Sequence, residues 1–412
     1  MSFADFILQH EGDDPVRLLL SRDKWQDQYP DLDLDLAVTT LEVRRKLRTK
    51  VPEWYAVPSL VYPSRLSGEQ CSSTETAKYK ASVAGAMISG GRVADLTGGM
   101  GVDSWAFAEV AGEVLYNEMQ EGLARATELN FRELGVENVR FRNGRVEPGK
   151  VAKVLDGFEP DLIYLDPARR AEDGRKVFLI EECQPDVVTL LPELFAASRF
   201  VMLKLSPMAD ITMACKRLEH VREVHVVASG GECKELLFVL DREWEGSCSM
   251  VVVEGGAVME IPGQAGNDVL LSVISTGAKR NGEIYLFEPG KALAKAGAFA
   301  LPCERFGLAK LGVHTHLYVG EAVPEGLKPF GKWFEVLDVM PLNNRTMKET
   351  GKRWPQAEVT ARNIPMTSDL LRRKIGCASG GDIHLFGVRM DLPAGAGNYL
   401  IVTKRNTDYG ND

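Results

Sequence analysis

The segment Arg92-Val-Ala-Asp95-Leu-Thr97-Gly98-Gly99-Met-Gly101 constrains the fold more than any other part of the chain. An apolar strand ends in a carboxylate, a glycine-rich turn follows, and 102–108 begins a helix. Glycines let backbone approach a ligand closely, and the helix start presents free amides behind them. A second stretch, Asp161-Leu-Ile-Tyr-Leu-Asp166-Pro167-Ala168-Arg169-Arg170, is another buried strand ending in Asp-Pro.

Strands and helices alternate around these two motifs. The pattern predicts strands over 114–118, 139–142, 162–165 and 200–204, with a helix over 121–134 and another before Leu194. Such alternation builds a mostly parallel sheet covered on both faces. The stretches 224–228 and 235–240, joined by Ser229-Gly230-Gly231-Glu232, read as an antiparallel hairpin closing that sheet. Upstream, 39–47 reads as a helix stopping before Pro52, and the proline-punctuated 51–58 wraps a surface. Ser72 and Glu75 have the spacing of a capping box that starts the next helix, which Gly90-Gly91 breaks. Beyond Trp244 the pattern becomes α+β. Strands are expected at 250–254, 269–274, 283–287, 316–319, 333–340, 358–362, 384–388 and 400–403, and helices at 292–297, around Met347 and at 370–375.

With 412 residues, the chain exceeds what one hydrophobic core usually serves. The expected division is an N-terminal helical segment over 1–80, a core over 81–248, and α+β domains over 249–332 and 333–412. The 49 basic and 58 acidic residues give a net charge of −9, which argues against a general electrostatic grip on nucleic acid but leaves room for a local basic face. No apolar run approaches membrane-spanning length, and the first residues lack the regions of a signal peptide. Seven cysteines without CxxC spacing fit reduced thiols, so a cytoplasmic location is expected. His314-Thr-His316 alternates as on a strand with no cysteine or carboxylate pattern nearby, and no metal site is expected.

The two motifs, in this order, resemble the cofactor turn and the Asp-Pro-Pro-x loop of class I S-adenosylmethionine (SAM)-dependent methyltransferases. The acidic-x-Gly-x-Gly-x-Gly pattern is met at Asp95, Gly99 and Gly101, with Thr97 in place of the first glycine. In the loop, Ala168 replaces the second proline and Arg169 the usual aromatic. Further matching residues are Glu69-Gln70-Cys71-Ser72-Ser73 with Ala77-Lys78-Tyr79-Lys80-Ala81, Lys291-Ala292 with Lys295-Ala296-Gly297-Ala298-Phe299, and Ala361-Arg362-Asn363-Ile364-Pro365 with Gly380-Gly381-Asp382-Ile383-His384-Leu385-Phe386. On these residues the chain is similar to Bacteroidetes-type bacterial methyltransferases carrying a C-terminal THUMP-like domain.

The resemblance implies a Rossmann-like α/β sheet with an antiparallel closing hairpin, an N-terminal helical segment, and C-terminal ferredoxin-like and THUMP-like domains. It also implies SAM as cofactor, held by Asp95, Thr97, Gly99, Gly101, Asp103, Glu118 and Asn143. Asp95 would orient the amino group of the methionine part, and Thr97 would close the turn with its hydroxyl. Glu118, ending its strand, can accept both ribose hydroxyls, a geometry that serves NAD equally. Asn143 or backbone groups would meet the adenine, because Arg145 stands where an Asp is usual. Asp166, the Pro167 carbonyl, Arg169 and Lys204 are the expected catalytic group, with carboxylate and carbonyl accepting from a planar exocyclic amine. No cysteine follows the strand at 200–204, and Cys183 is a poor substitute, which disfavours covalent C5 chemistry.

The expected substrate is structured RNA, rRNA or tRNA, met by Arg170 and by Arg362, Arg372 and Arg373 within a basic stretch that includes Trp354. That stretch reads equally well as a solvated helical face with a core tryptophan. A non-catalytic SAM-binding RNA module is the alternative reading. An NAD-dependent oxidoreductase is a distant third, since Ser104 breaks the dinucleotide glycine pattern and Asp103 would face a pyrophosphate. Oligomeric state is not legible.

Overall fold

The computed structural model describes residues 2–169, 180, 183–261, 283–392 and 395–405; the Arg169 side chain, Arg170 and the expected strand over 269–274 lie outside the described residues. Two compact units divide the chain: 1–224 with 236–248, and 225–235 with 249–412.

The first unit is built on strands β1 (Arg92–Asp95), β2 (Glu113–Glu118), β3 (Val139–Asn143), β4 (Leu162–Leu165) and β5 (Phe200–Leu205), with the start of β6 (Val221–Ser229) and the end of β7 (Glu232–Asp241), whose residues 225–235 fall in the second unit. Their order is β3-β2-β1-β4-β5-β7-β6. β1 to β5 run parallel, and β7 runs antiparallel to β5, with Phe200 opposite Asp241 and Leu205 opposite Leu236. The predicted sheet and its closing hairpin are therefore present. The hairpin arms are longer than their apolar centres suggested, and positive φ at Gly230 and Gly231 (58° and 73°) suits a tight two-residue turn. Strand order reverses between β1 and β4. In open parallel sheets that reversal leaves a crevice at the carboxyl ends of the strands. Both sequence motifs leave the sheet at this point.

Helices Leu34–Lys50 and Thr74–Ile88 pack into one core with the sheet through Leu47, Trp54, Tyr62, Ala77, Ala84, Phe107 and Phe131. The proline-punctuated segment is pinned from beneath. Buried Arg44 donates to the carbonyls of Tyr55 (2.8 Å) and Val57 (3.1 Å), satisfying backbone that has no strand or helix partner.

In the second unit, β8 (Ser249–Glu254) and β9 (Ala257–Ile261) form a hairpin. A seven-stranded sheet follows from β10 (Tyr285–Pro289), β11 (Ala309–Gly312), β12 (Thr315–Gly320), β13 (Gly331–Pro341), β14 (Glu358–Arg362), β15 (Ile383–Leu392) and β16 (Gly395–Arg405). Its order is β11-β12-β10-β13-β16-β15-β14, and β14 and β15 pair in parallel. Leu286, Leu317, Phe334, Phe386 and Ile401 form one cluster on this sheet. Helices Asn344–Arg353 and Ser368–Ile375 contribute Met347, Leu371 and Ile375 to a second, with Leu385, Leu400 and Val402. The helices meet closely: a Cβ on Gly351 would lie 2.0 Å from the Ile375 carbonyl oxygen. Trp354 packs partly buried against this second cluster, with the Arg353 guanidinium 4.4 Å from its ring centre.

Candidate active site

The turn after β1 and the loop after β4 share one cleft in the first unit, lined among others by Thr97, Gly99, Gly101, Asp103, Glu118 and Asp166. Ser67, Gln70, Cys71 and Ser72 of the segment before the core also line it, as do Met119, Gln120, Arg145, Ala168, Gln184 and Pro185.

Glycine is required at two turn positions by the protein's own packing. A Cβ on Gly98 would fall 2.2 Å from the Tyr116 ring, and one on Gly101 (φ 88°) would fall 2.6 Å from Thr127 Cγ2. Gly99 is different: its φ is 54°, and a Cβ there would meet nothing nearer than the Thr97 carbonyl oxygen at 3.9 Å. Its amide donates to Glu118 Oε2 (3.0 Å) and its carbonyl accepts from the Tyr116 hydroxyl (2.6 Å).

Asp95 stands behind the turn and does not line the cleft. Its oxygens accept from Thr97 N (3.1 Å) and Ser104 Oγ (2.6 Å), which ties the carboxyl to the turn and to the helix that follows it. Burial pushes its carboxyl up to about 8, against the Ser104 and Thr97 hydrogen bonds and with help from Asp103 and Asp166. From its ordinary 3.8 up to that value, the folded protein holds a proton that the unfolded chain has released, so stability falls as pH rises through the window. The Asp95→Asn variant should therefore lose less melting temperature than the wild type between about pH 5 and about pH 8. Parallel losses in a thermal melt series would remove Asp95 as the source.

Thr97 does not close its own turn. Its Oγ1 accepts from Asp166 N at 2.6 Å and ties the β1 turn to the β4 loop, a use of the hydroxyl that glycine could not supply. The Asp166 carboxylate, in turn, pairs through Oδ2 with Lys204 Nζ at 2.5 Å. Pro167 is buried beside it and does not line the cleft.

The network beneath the cleft was missed by sequence reasoning. Asp103 Oδ2 accepts from Ser72 Oγ (2.9 Å) and Tyr164 OH (2.9 Å), and Lys80 Nζ lies 3.3 Å from Oδ1 and 3.0 Å from Ser72 Oγ. Burial works against ionisation of Asp103, but Lys80, Lys204 and the two hydroxyls hold it below its ordinary value. Ser72 is consequently no helix cap. Ser73 caps the helix Thr74–Ile88 by accepting from Thr76 N. Because Lys80 compensates its charge, Asp103 also loses its force as an argument against a pyrophosphate.

Glu118 is buried at the end of β2, its second oxygen accepting from Gln120 N (2.8 Å). Asn143 is exposed and off the cleft, donating to the Glu118 carbonyl (2.6 Å). Gly144, Arg145 and Val146 line the cleft in its place. Buried Asn117, which no pattern singled out, donates to the carbonyls of Leu96 and Gly144, both at 3.0 Å, and joins the ends of three strands. Burial raises the Cys71 thiol, which makes it a poor nucleophile at neutral pH.

Arg362, Arg372 and Arg373 belong to the second unit. Arg362 pairs with Glu288 (2.7 Å) and Arg372 with Glu358 (3.5 Å), whereas Arg373 is exposed and donates to the Asp369 carbonyl (3.4 Å). Among the described residues no group of three His, Cys, Asp or Glu side chains could hold a metal ion, and no helix is long and apolar enough to cross a membrane.

A ferredoxin-like domain model matches residues 285–326, and a THUMP domain-like model matches 331–405. These two segments share the seven-stranded sheet. The crystal structure of a Porphyromonas gingivalis W83 protein described as a methyltransferase is 31% identical, with a TM-score of 0.78, over 98% of this chain and 97% of that one. Over 94 residues the chain is also 31% identical to an Enterococcus faecalis (strain ATCC 700802 / V583) protein described as an uncharacterized RNA methyltransferase. That match covers 23% of this chain and only 21% of the relative's length. The fold is that of the Rossmann-like class I methyltransferases. The chain belongs to the family of the Porphyromonas protein, methyltransferases with a C-terminal THUMP-like domain.

Proposed function

We propose that the protein is a SAM-dependent methyltransferase that modifies a base nitrogen, exocyclic or in the ring, in structured RNA such as rRNA or tRNA. The observation that carries this reading is the meeting of the β1 turn, Glu118 and Asp166 on one cleft at the strand-order reversal. Its residues fit the cofactor. Glu118 keeps acceptor capacity beyond its two backbone amides, which suits ribose hydroxyls. Exposed Met119 beside it offers an apolar face to a planar ring.

When bound, SAM supplies an electrophilic methyl group on a sulfonium. Lys204 pairs with Asp166 through Oδ2 and fixes its rotamer. Oδ1, which has no partner among the described residues, accepts an N–H of the target amine; buried Pro167, off the cleft, leaves Asp166 as the acceptor of this reading. Held in this way, the nitrogen would keep its lone pair free for the methyl group, with its surplus proton passing to solvent as the sulfonium becomes a neutral thioether, and positioning would supply much of the rate. The name of the Enterococcus relative and the THUMP-like segment support RNA as substrate.

Calorimetric titration with S-adenosylhomocysteine (SAH), with NAD as control, followed by transfer of labelled methyl from SAM to bulk RNA, tests the reading. Micromolar SAH binding, no NAD binding and labelled RNA are expected. SAH binding without any labelled product would favour a non-catalytic SAM-binding RNA protein, and NAD binding alone would overturn the assignment.

A further inference from the structure

The second unit holds a cavity of ≈ 500 Å³ that the proposed reaction does not use. Its walls include the Gly230–Gly231 turn, the end of β10, the start of helix Lys291–Ala296 and side chains of β12 to β15. Two carboxylates in the wall are already engaged. Glu254 Oε2 accepts from Ala292 N (2.9 Å), and Glu288 Oε1 accepts from Arg362 Nη2 (2.7 Å). Lys291 and Lys332 also line the cavity and are exposed; neither side chain forms an ion pair within 4.0 Å among the described residues, although the Lys291 charge and backbone amide both act on Glu254. With Arg362 the two lysines set three cations against the two carboxylates of the wall, an excess of one positive charge.

It also carries a flat surface. Phe299 and His316 stack with ring centres 3.6 Å apart and planes 18° from parallel. Burial, with Lys310 and His314 adding to it, holds the His316 imidazole below its ordinary value, so the ring is neutral at physiological pH. His384 is pushed down to about 4 by burial, and its Nε2 lies 2.7 Å from Thr360 Oγ1. The positive charge comes from the lysines, and the imidazoles serve as neutral planar groups.

Two ammoniums lining the same cavity as an aromatic stack match a nucleotide: they attract its phosphate, and the rings stack against its base. A chain of net charge −9 cannot hold a polyanion by its overall field, so contact must be local. We propose that this cavity binds one nucleotide of a single-stranded RNA segment, with its phosphate at Lys291 and Lys332 and its base against the Phe299–His316 stack. The proposal rests on the reading of RNA as substrate and adds a site in the second unit.

The test uses the full-length protein and a short fluorescein-labelled single-stranded RNA, read by anisotropy over a salt series. The Lys291→Gln/Lys332→Gln double variant should bind about tenfold or more weaker, with a log–log salt slope shallower by about 0.7 for one lost phosphate contact. Phe299→Leu should weaken binding by about tenfold without changing that slope. RNA affinity unchanged in both variants would overturn the proposal. Adenosine monophosphate and inorganic phosphate are titrated in parallel. Binding of the free nucleotide, lost in the variants while RNA does not bind, would overturn the RNA assignment in favour of a small ligand. Phosphate binding as tight as that of the nucleotide would overturn the role of the stack. Unchanged SAH binding and thermal melting show that the variants remain folded. Absent SAH binding in the wild type would sink the methyltransferase reading while leaving this site to stand or fall on its RNA data.

Discussion

The Asp166→Ala variant is expected to lose methyl transfer by about 10²–10³-fold while its affinity for SAH stays within about threefold of the wild type. The split follows from which groups meet which partner. Glu118 and the backbone around Gly99 carry the proposed cofactor contacts, whereas Asp166 offers its unpaired oxygen to the target nitrogen. Removing a hydrogen-bond acceptor used only as nitrogen attacks lowers the rate without loosening ground-state binding. The Asp166→Asn variant separates charge from shape. It preserves the backbone link from residue 166 to Thr97 Oγ1 but cannot hold Lys204 as an ion pair, so an intermediate rate would divide the effect between the two. Single-turnover transfer from labelled SAM, alongside SAH calorimetry, reads both quantities. Equal losses in transfer and in SAH affinity would place Asp166 in cofactor binding and remove it from the reacting centre.

The framework of this site was legible because apolar runs of strand length alternate with amphipathic helices, and because glycine and proline mark where the strands leave the sheet. Tyr164, in the apolar run before Asp166, reads equally well as core, and nothing local to it points to Asp103. The remaining differences share one cause. Ser72 and Ser73 have equivalent local claims to cap the helix at Thr74; what decides between them is a fully buried lysine two helix turns further on and a largely buried carboxylate at the cleft. Thr97 reads as a lapse from a glycine pattern until Asp166 N is found on its hydroxyl, 69 residues away in sequence. Asn143 and Asn117 are both asparagines at strand ends, and only strand packing turns Asn117 inward to bridge Leu96 and Gly144 while leaving Asn143 exposed. Periodicity reports which face of an element is buried, and says little about which polar groups meet once it is.

The pairing of Lys80 with Asp103 leads to the largest expected effect on stability. Lys80 is fully buried, and its ammonium lies 3.3 Å from Asp103 Oδ1. The Lys80→Met variant preserves most of the side-chain volume but leaves the Asp103 carboxylate buried without its main counter-charge, a change that costs about 3–5 kcal/mol in comparable buried pairs. Ser72 and Tyr164 would still donate to Asp103, which favours the lower end of that range. The double variant Lys80→Met/Asp103→Asn removes both charges and should recover most of the loss, because an amide can keep one hydroxyl partner at no cost in buried charge. The pH dependence has a definite sign. In the wild type Asp103 is held below its ordinary value of 3.8, so its contribution is present above that value and is lost only as pH falls through the lower folded value. Without Lys80, burial acts with less opposition and raises the carboxyl, so the single variant's deficit should narrow on acidification as Asp103 takes up a proton. Urea unfolding of wild type, single and double variants at neutral and mildly acidic pH measures each term. A single variant as stable as the wild type would mean that Asp103 is already protonated in the fold. A double variant no better than the single one would assign the loss to packing around Lys80. If the network also holds residues 70–72 against the cleft, the single variant should bind SAH more weakly even at temperatures where it is fully folded.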